Sequence, residues 1–373
     1  MFAKVVNHVY GYERLRHRGD RLFLAGEFER ARSEYLRARS VLSQRDYRTP
    51  TIDGLIRECD AQSPDHGRVA EVPVYGPVRE ALVEPHTAPP FLPGLHDLFE
   101  LAIGDKAPGR IGAYRAMNDE FRAGYVALVQ ANAHRAVGLL SNAAASLSSS
   151  FVAHLELGRA HSLAGTMSAA RDALKHAERL APEDTEVGIL LSAVNIELGR
   201  HQDARDRLET VAGADPTNPD VSFLLGRSLA GLGRRDAALE KFRETVAFES
   251  NFHEAYFEAS LLLGQDGDGE SQFQLLSRAC AIAPDEVRYN RELVSLVLSA
   301  ESFDEEAGLA ACDRLMVTDE DNAWQYLFWI AQLYVRRGWK REARDPLEKA
   351  LRLVPPHKST ERREIEAFQF TIV

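Results

Sequence analysis

Cysteine is scarce in this chain of 373 residues: only Cys59, Cys280 and Cys312 occur, an odd number with no CxxC spacing. That usage points to a reducing compartment. Long apolar runs are missing as well, since no stretch approaches the roughly 18 apolar residues that a membrane span needs. Residues 1–18 hold no continuous apolar run behind a basic start and no early cysteine, so neither a secretory signal nor a lipid anchor is expected, and the expected location is cytoplasmic. An excess of positive charge is also lacking. The formal net charge of -11 disfavours nonspecific binding to nucleic acid or to an anionic bilayer. One local exception is the basic run Arg336, Arg337, Lys340, Arg341 and Arg344, which is either a docking patch for an acidic partner or plain solvated surface.

Catalytic spacing is equally hard to find. There is no GxSxG, no GxxxxGK[ST] and no GxGxxG behind a strand pattern. His253 and Glu254 begin an HExxH, but Phe257 stands where the second His is needed. Asp266, Asp268 and Glu270 hint at a calcium loop that lacks its remaining ligands, so a solvated turn explains them better. His154, His161 and His176 project in different directions on a helical reading and are taken as core or surface histidines. No enzyme activity, cofactor or metal is expected.

What the chain does have is a period. Pro182 and Pro216 are 34 residues apart, and Pro284 follows two such steps after Pro216. When each unit is numbered from 1, the unit from Phe151 carries Leu157, Gly158, Gly165, Ala170, Leu174, Ala177 and Pro182 at positions 7, 8, 15, 20, 24, 27 and 32. Starting from Thr185, the same positions hold Leu191, Ser192, Gly199, Ala204, Leu208 and Pro216, with Ala212 one place late at position 28. The unit from Pro219 gives Leu225, Gly226, Gly233, Ala238 and Phe242, and the unit from His253 gives Ala259, Ser260, Gly267, Leu276, Ala279 and Pro284. A weaker copy starts at Met117, which lacks the Gly and the Pro, and the unit from Trp324 fits well with Tyr334, Gly338, Ala343, Leu347, Ala350 and Pro355. A degraded unit runs from Val287 to Ala323, with its second helix near Asp304 to Met316. A detached copy begins at Tyr12, with Gly19, Leu22, Gly26, Ala31, Tyr35 and Ala38. Positions 4, 7, 8 and 11 fall on one face of a first helix, and positions 20, 24 and 27 on one face of a second. Periods of this length mean stacked helical hairpins, each too weak alone and stabilised by its neighbours.

These residue kinds at these offsets resemble the tetratricopeptide repeat family. The resemblance implies an all-α fold, a right-handed superhelical solenoid of antiparallel helix pairs. The expected division is an N-terminal hairpin with flanking helices (1–60), a Pro-rich linker or strap (61–95), a helical connector (96–116), a seven-unit array (117–357) and a closing helix (358–373). In that closing helix Ile365, Phe368 and Phe370 are expected to cover the end of the stack. The strap is either a separator or an internal ligand lying along the array. The resemblance also implies an inner wall of first helices on which positions 5 and 9 face a groove. Position 5 reads Phe121, Leu155, Ile189, Phe223, Phe257, Arg291 and Phe328, and position 9 includes Tyr125, Arg159, Arg227 and Leu261. The candidate partner-binding residues are therefore Phe121, Tyr125, Leu155, Arg159, Ile189, Phe223, Arg227, Phe257, Leu261 and Phe328.

Such a ribbon suits an apolar or amphipathic protein segment whose carboxylates meet Arg159 and Arg227. Packing of these aromatics between first helices or beneath the strap is the other reading. No Asn occupies position 9, so the carboxylate clamp of chaperone-binding members is not repeated. The functional expectation is a non-catalytic adaptor that forms part of a larger assembly. A self-assembling scaffold and a regulatory subunit that positions an enzyme or secretion machine are the alternatives.

Overall fold

The computed structural model describes residues 30–32, 35–36, 56–57, 95–104, 106, 108–299 and 303–370. Of the detached N-terminal copy only Ala31 and Tyr35 are buried helical residues among these; its other positions, Cys59 and the Pro-rich strap lie outside the described residues. All regular structure described is helical, and the chain divides into two compact units, Met1–Leu232 and Gly233–Val373.

The first unit opens with two connector helices, α1 (Leu95–Ile103) and α2 (Pro108–Arg115). The repeat helices follow: α3 (Asp119–Val129), α4 (Ala133–Ser146), α5 (Phe151–Leu163), α6 (Met167–Leu180), α7 (Thr185–Glu197), α8 (His201–Ala214) and α9 (Pro219–Gly231). Each packs on the next, and α3, α5, α7 and α9 also touch in succession as a row of first helices. In the second unit α10 (Arg235–Phe248), α11 (His253–Gln265), α12 (Gly269–Ile282), α13 (Val287–Ser299), α14 (Glu305–Thr318), α15 (Ala323–Arg336), α16 (Arg344–Leu353) and α17 (Ser359–Gln369) again pack in sequence order. The architecture is an all-α solenoid of antiparallel helix pairs.

Local chemistry marks the helix ends. First helices of the first unit start on side-chain caps: Asn118, Ser150, Asp184 and Asn218 each accept a backbone N–H from the opening turn of α3, α5, α7 and α9. Second helices follow a glycine turn. Gly165, Gly199, Gly233, Gly267 and Gly338 all have φ between +72° and +80°. The residue after the glycine donates its N–H five residues back, as Thr166 does to His161 O (2.9 Å) and Arg200 to Asn195 O (2.8 Å). In the unit from Met117 the same position holds Ala131, which adopts φ +59° and keeps the same bond, from Asn132 N–H to Ala127 O at 2.9 Å. Packing there imposes a left-handed residue that the side chain resists.

Burial separates the two helix types. On α6 only Ala170, Ala173, Leu174 and Ala177 are buried, a single stripe; on α7 nine residues, including Ser192 and Asn195, are buried on every side. First helices are covered by their own partner and by both neighbours, whereas second helices keep a wet face. At the tightest crossing, a Cβ on Gly158 would stand 2.5 Å from Leu174 Cγ and 3.3 Å from the Ala170 carbonyl oxygen. In the degraded unit, Phe303 fills the lengthened turn by stacking on Phe273 of α12, ring centroids 5.1 Å apart. Closing helix α17 buries Ile365 and half-buries Phe368. Phe370 lies past the helix end and is 84% exposed, so it does not cover the stack as the sequence pattern suggested.

Three glycine or alanine exchanges test this account by denaturation midpoints. Ala131→Gly is expected to stabilise the chain by about 1 kcal/mol, because the left-handed residue loses its steric cost. Gly138→Ala, at an exposed helical position with nothing within 4 Å of the added Cβ, should stabilise by roughly 0.5–1 kcal/mol. Gly158→Ala should destabilise by about 1 kcal/mol, since overpacking against Leu174 costs more than helix propensity returns.

Candidate partner-binding face

The first-helix face of the first unit is already covered by the chain itself. Phe121 and Tyr125 on α3 stack with ring centroids 6.1 Å apart and planes 4° apart. Phe99 of α1 meets them edge-on at 6.5 and 6.0 Å, and Tyr114 of α2 does so at 5.8 and 5.3 Å. Edge-to-face pairs of this kind add stability beyond the area they bury. All four rings are fully buried.

A buried polar cluster lies beside the rings. Glu156, at position 6 of α5 and with no solvent exposure, accepts a hydrogen bond from the Tyr114 hydroxyl and one of 2.9 Å from Arg159 Nη1. Lys106 Nζ stands 3.7 Å from the same carboxylate, above the Tyr114 and Tyr125 rings at 5.2 and 5.5 Å. Arg159 also pairs with Glu186 of α7 at 3.6 Å. Arg110 of α2 donates to Glu186 and to Asp184, the α7 cap, and its guanidinium lies 5.9 Å from the Phe151 ring centroid. The connector thus crosses α3, α5 and the start of α7. Burial, reinforced by Glu156, pushes the Tyr114 hydroxyl far above the ordinary phenol range, so it stays a donor. Burial works against the Arg110 charge, but Glu186 and Asp184 outweigh it and hold the group more firmly protonated.

Of the sequence-expected residues, Phe121, Tyr125, Leu155, Arg159, Phe223, Arg227, Phe257 and Phe328 are buried within the chain, and only Ile189 and Leu261 keep partial exposure. The open apolar ribbon is therefore corrected to a covered one. In the second unit Phe257 stacks on Tyr289 of α13, with ring centroids 4.4 Å apart, beneath the Arg288 guanidinium at 4.3 Å. Phe328 of α15 meets Phe368 of the closing helix edge-on at 5.5 Å. The two arginines expected to meet partner carboxylates are also engaged internally: Arg159 as above, and Arg227 with Glu197 at 3.0 Å.

Sequence reasoning missed Lys106, Arg110, Tyr114, Glu156, Asp184 and Glu186. The available signal was Glu156, a carboxylate between Leu155 and Leu157 on a first helix and next to a groove position.

Other sequence candidates have simpler explanations. Arg336 and Arg337 of the basic run pair with Glu305 (3.6 Å) and Glu306 (2.9 Å). Asp266 pairs with Arg235, and Asp268 caps α12 through the Ser271 N–H, which accounts for the apparent calcium loop. His154 and His176 do not diverge; their rings stack 3.9 Å apart because positions 4 and 26 of one unit meet across the helix pair. An apolar cleft of about 230 Å³ opens between α10, α11 and α12, lined by Leu239, Val246, Tyr256, Ala259, Leu263 and Leu275 among others. Among the described residues no helix is long and apolar enough to cross a membrane.

A row of capped first helices in the first unit, each joined through a left-handed residue to a one-sided second helix, defines a helical-repeat protein. The tetratricopeptide repeat family model matches residues 195–257. Among solved structures, one of MamA is 19% identical, covering 44% of this chain and 97% of that chain with a TM-score of 0.39. MamA residues 41-end from Desulfovibrio magneticus RS-1 are 16% identical, covering 46% and 99% with a TM-score of 0.41. The thermophilic tetratricopeptide protein TTC0263 of Thermus thermophilus is 19% identical, covering 48% and 98% with a TM-score of 0.43. A search of curated protein sequences found no match.

The stacked histidines generate a pH prediction. Burial first, and His176 second, lower the pKa of His154 from 6.5, so the unfolded chain takes up this proton more readily than the folded one. Stability from this group is complete above the unfolded value and declines as pH falls through it. Thermal melts between about pH 7.5 and about pH 5.5 should show a smaller drop in Tm for His154→Gln than for the unaltered chain.

Proposed function

We propose that this protein is a non-catalytic interaction scaffold that holds a helical segment of a protein partner against its first helices, as a subunit of a larger assembly. One observation carries the reading: residues 95–115 of the chain itself lie across α3, α5 and α7, held by aromatic edges and ion pairs. A face that accepts a helix from its own chain has the shape and chemistry to accept one from another. Repeat arrays supply binding surface without reacting groups, and the family match supports a role in protein interaction rather than in chemistry. The reduced thiols Cys280 and Cys312 are both buried, with pKa values pushed up to about 11 and about 12, which suits a reducing cytoplasmic setting. The proposed contact residues, each taken within its own unit, are the partly exposed Ile189 in the first and Leu261 in the second, with the buried positions of that unit acting as the floor beneath.

Affinity purification from the native cell, followed by hydrogen exchange on the reconstituted complex, tests this. Added partner should protect amides of first helices such as α7 and α11. Ile189→Glu together with Leu261→Glu should abolish capture and leave the circular dichroism spectrum unchanged. Protection confined to second helices would refute the proposal.

A further inference from the structure

On the first-helix face of the first unit the repeats bring together three carboxylates, Glu156, Asp184 and Glu186, and one guanidinium, Arg159. The connector contributes Lys106, Arg110 and the Tyr114 hydroxyl. Without the connector this cluster carries two surplus negative charges, and with it the cluster is balanced. We infer that this face selects a segment bearing a cation just ahead of a helix and a second cation and a phenol one turn apart on that helix, as Lys106, Arg110 and Tyr114 do, and that the connector is a resident self-ligand which a partner of that chemistry displaces. The inference rests on the first-helix reading above and adds the identity of the partner's chemistry.

The buried carboxylate decides which chemistry is possible. Glu156 has no solvent exposure, and a buried charge that loses its partners is strongly destabilising. An acidic helix would add repulsion at Asp184 and Glu186, and a purely apolar helix would leave Glu156 with Arg159 alone. Only a segment that returns cations and a donor hydroxyl restores the balance.

Within the connector α2 is the part built to exchange, whereas α1 buries Phe99, Ala102 and Ile103. Helix α2 has eight residues, too few to persist alone, and of its described side chains only Tyr114 is buried. Repeat helices α5 and α7 each bury nine residues. Arg110 and Tyr114 lie one turn apart on one face of α2, and Lys106, ahead of that helix, reaches the same carboxylate as Tyr114.

The test uses the full chain and a fluorescein-labelled peptide with the sequence of residues 95–117. The resident connector reduces apparent affinity by the fraction of time the face is open. The Arg110→Glu chain, which repels its own connector from Asp184 and Glu186, should therefore bind the peptide at least about tenfold more tightly than the unaltered chain. The same peptide carrying Lys106→Glu and Arg110→Glu should not bind measurably. Equal binding of the two peptides, or no binding to either chain, overturns the inference. Hydrogen exchange on the bound state separates the two readings. Equal binding with protection on α5 and α7 keeps the first-helix reading and removes the charge selection, whereas protection on α4 and α6 removes the first-helix reading itself. Should Arg110→Glu fail to fold, native-state exchange of the unaltered chain decides. Amides of α2 must open far more often than those of α5 and α7, and equal protection overturns displacement.

Discussion

The constraint on which this architecture depends is that its central first helices keep little surface for water. Helices α5, α7 and α9 bury residues around their whole circumference, polar ones included. A second helix covers one side and adjacent first helices cover two more, which leaves one flank that neighbouring pairs cannot reach. In the first unit the connector covers that flank over α3 and α5, and in the second unit α17 covers part of it at Phe328. Burying polar groups on such helices is tolerable only where each finds a partner. Ser162, Ser192 and Ser228 return their hydroxyls to carbonyls four residues back, and Glu156 gathers three donors.

Much of the fold could be read from residue spacing because second helices obey a simple rule: a narrow apolar stripe over small residues, then proline. The stripe Ala170, Leu174, Ala177 is buried as its period demands, and Gly165, Gly199 and Gly233 take the left-handed conformation their positions call for. Even the degraded unit kept its second helix where Asp304 announced it, as a cap. Ala131 shows where residue identity stops being informative, since the turn forms without the glycine that normally signals it. Stacking outweighs the local preference there.

The binding face was harder to read, and the reason is physical. Positions 5 and 9 recur at a helical period, but periodicity cannot say whether a surface meets solvent, a partner or another part of the same chain. Phe121 and Tyr125 look the same in sequence whether bare or covered by Phe99 and Tyr114. Likewise, Arg159 reads as an anion receptor until Glu156, three residues before it, is seen to claim it. Long-range pairing of this kind leaves no periodic trace. Its only mark was a carboxylate embedded among apolar neighbours, which a charge count alone treats as solvated.

The order of residues along the connector has a consequence for biosynthesis. Arg110 finds Glu186 across 76 residues, and Tyr114 finds Glu156 across 42. On a ribosome adding roughly 5–20 residues per second, the connector emerges roughly 4–15 seconds before the last of its carboxylates. During that interval its cations and aromatic ring are available to whatever chaperone or nascent neighbour is near. The cover is made first and waits for the surface it closes, so maturation of this face is tied to the pace of translation.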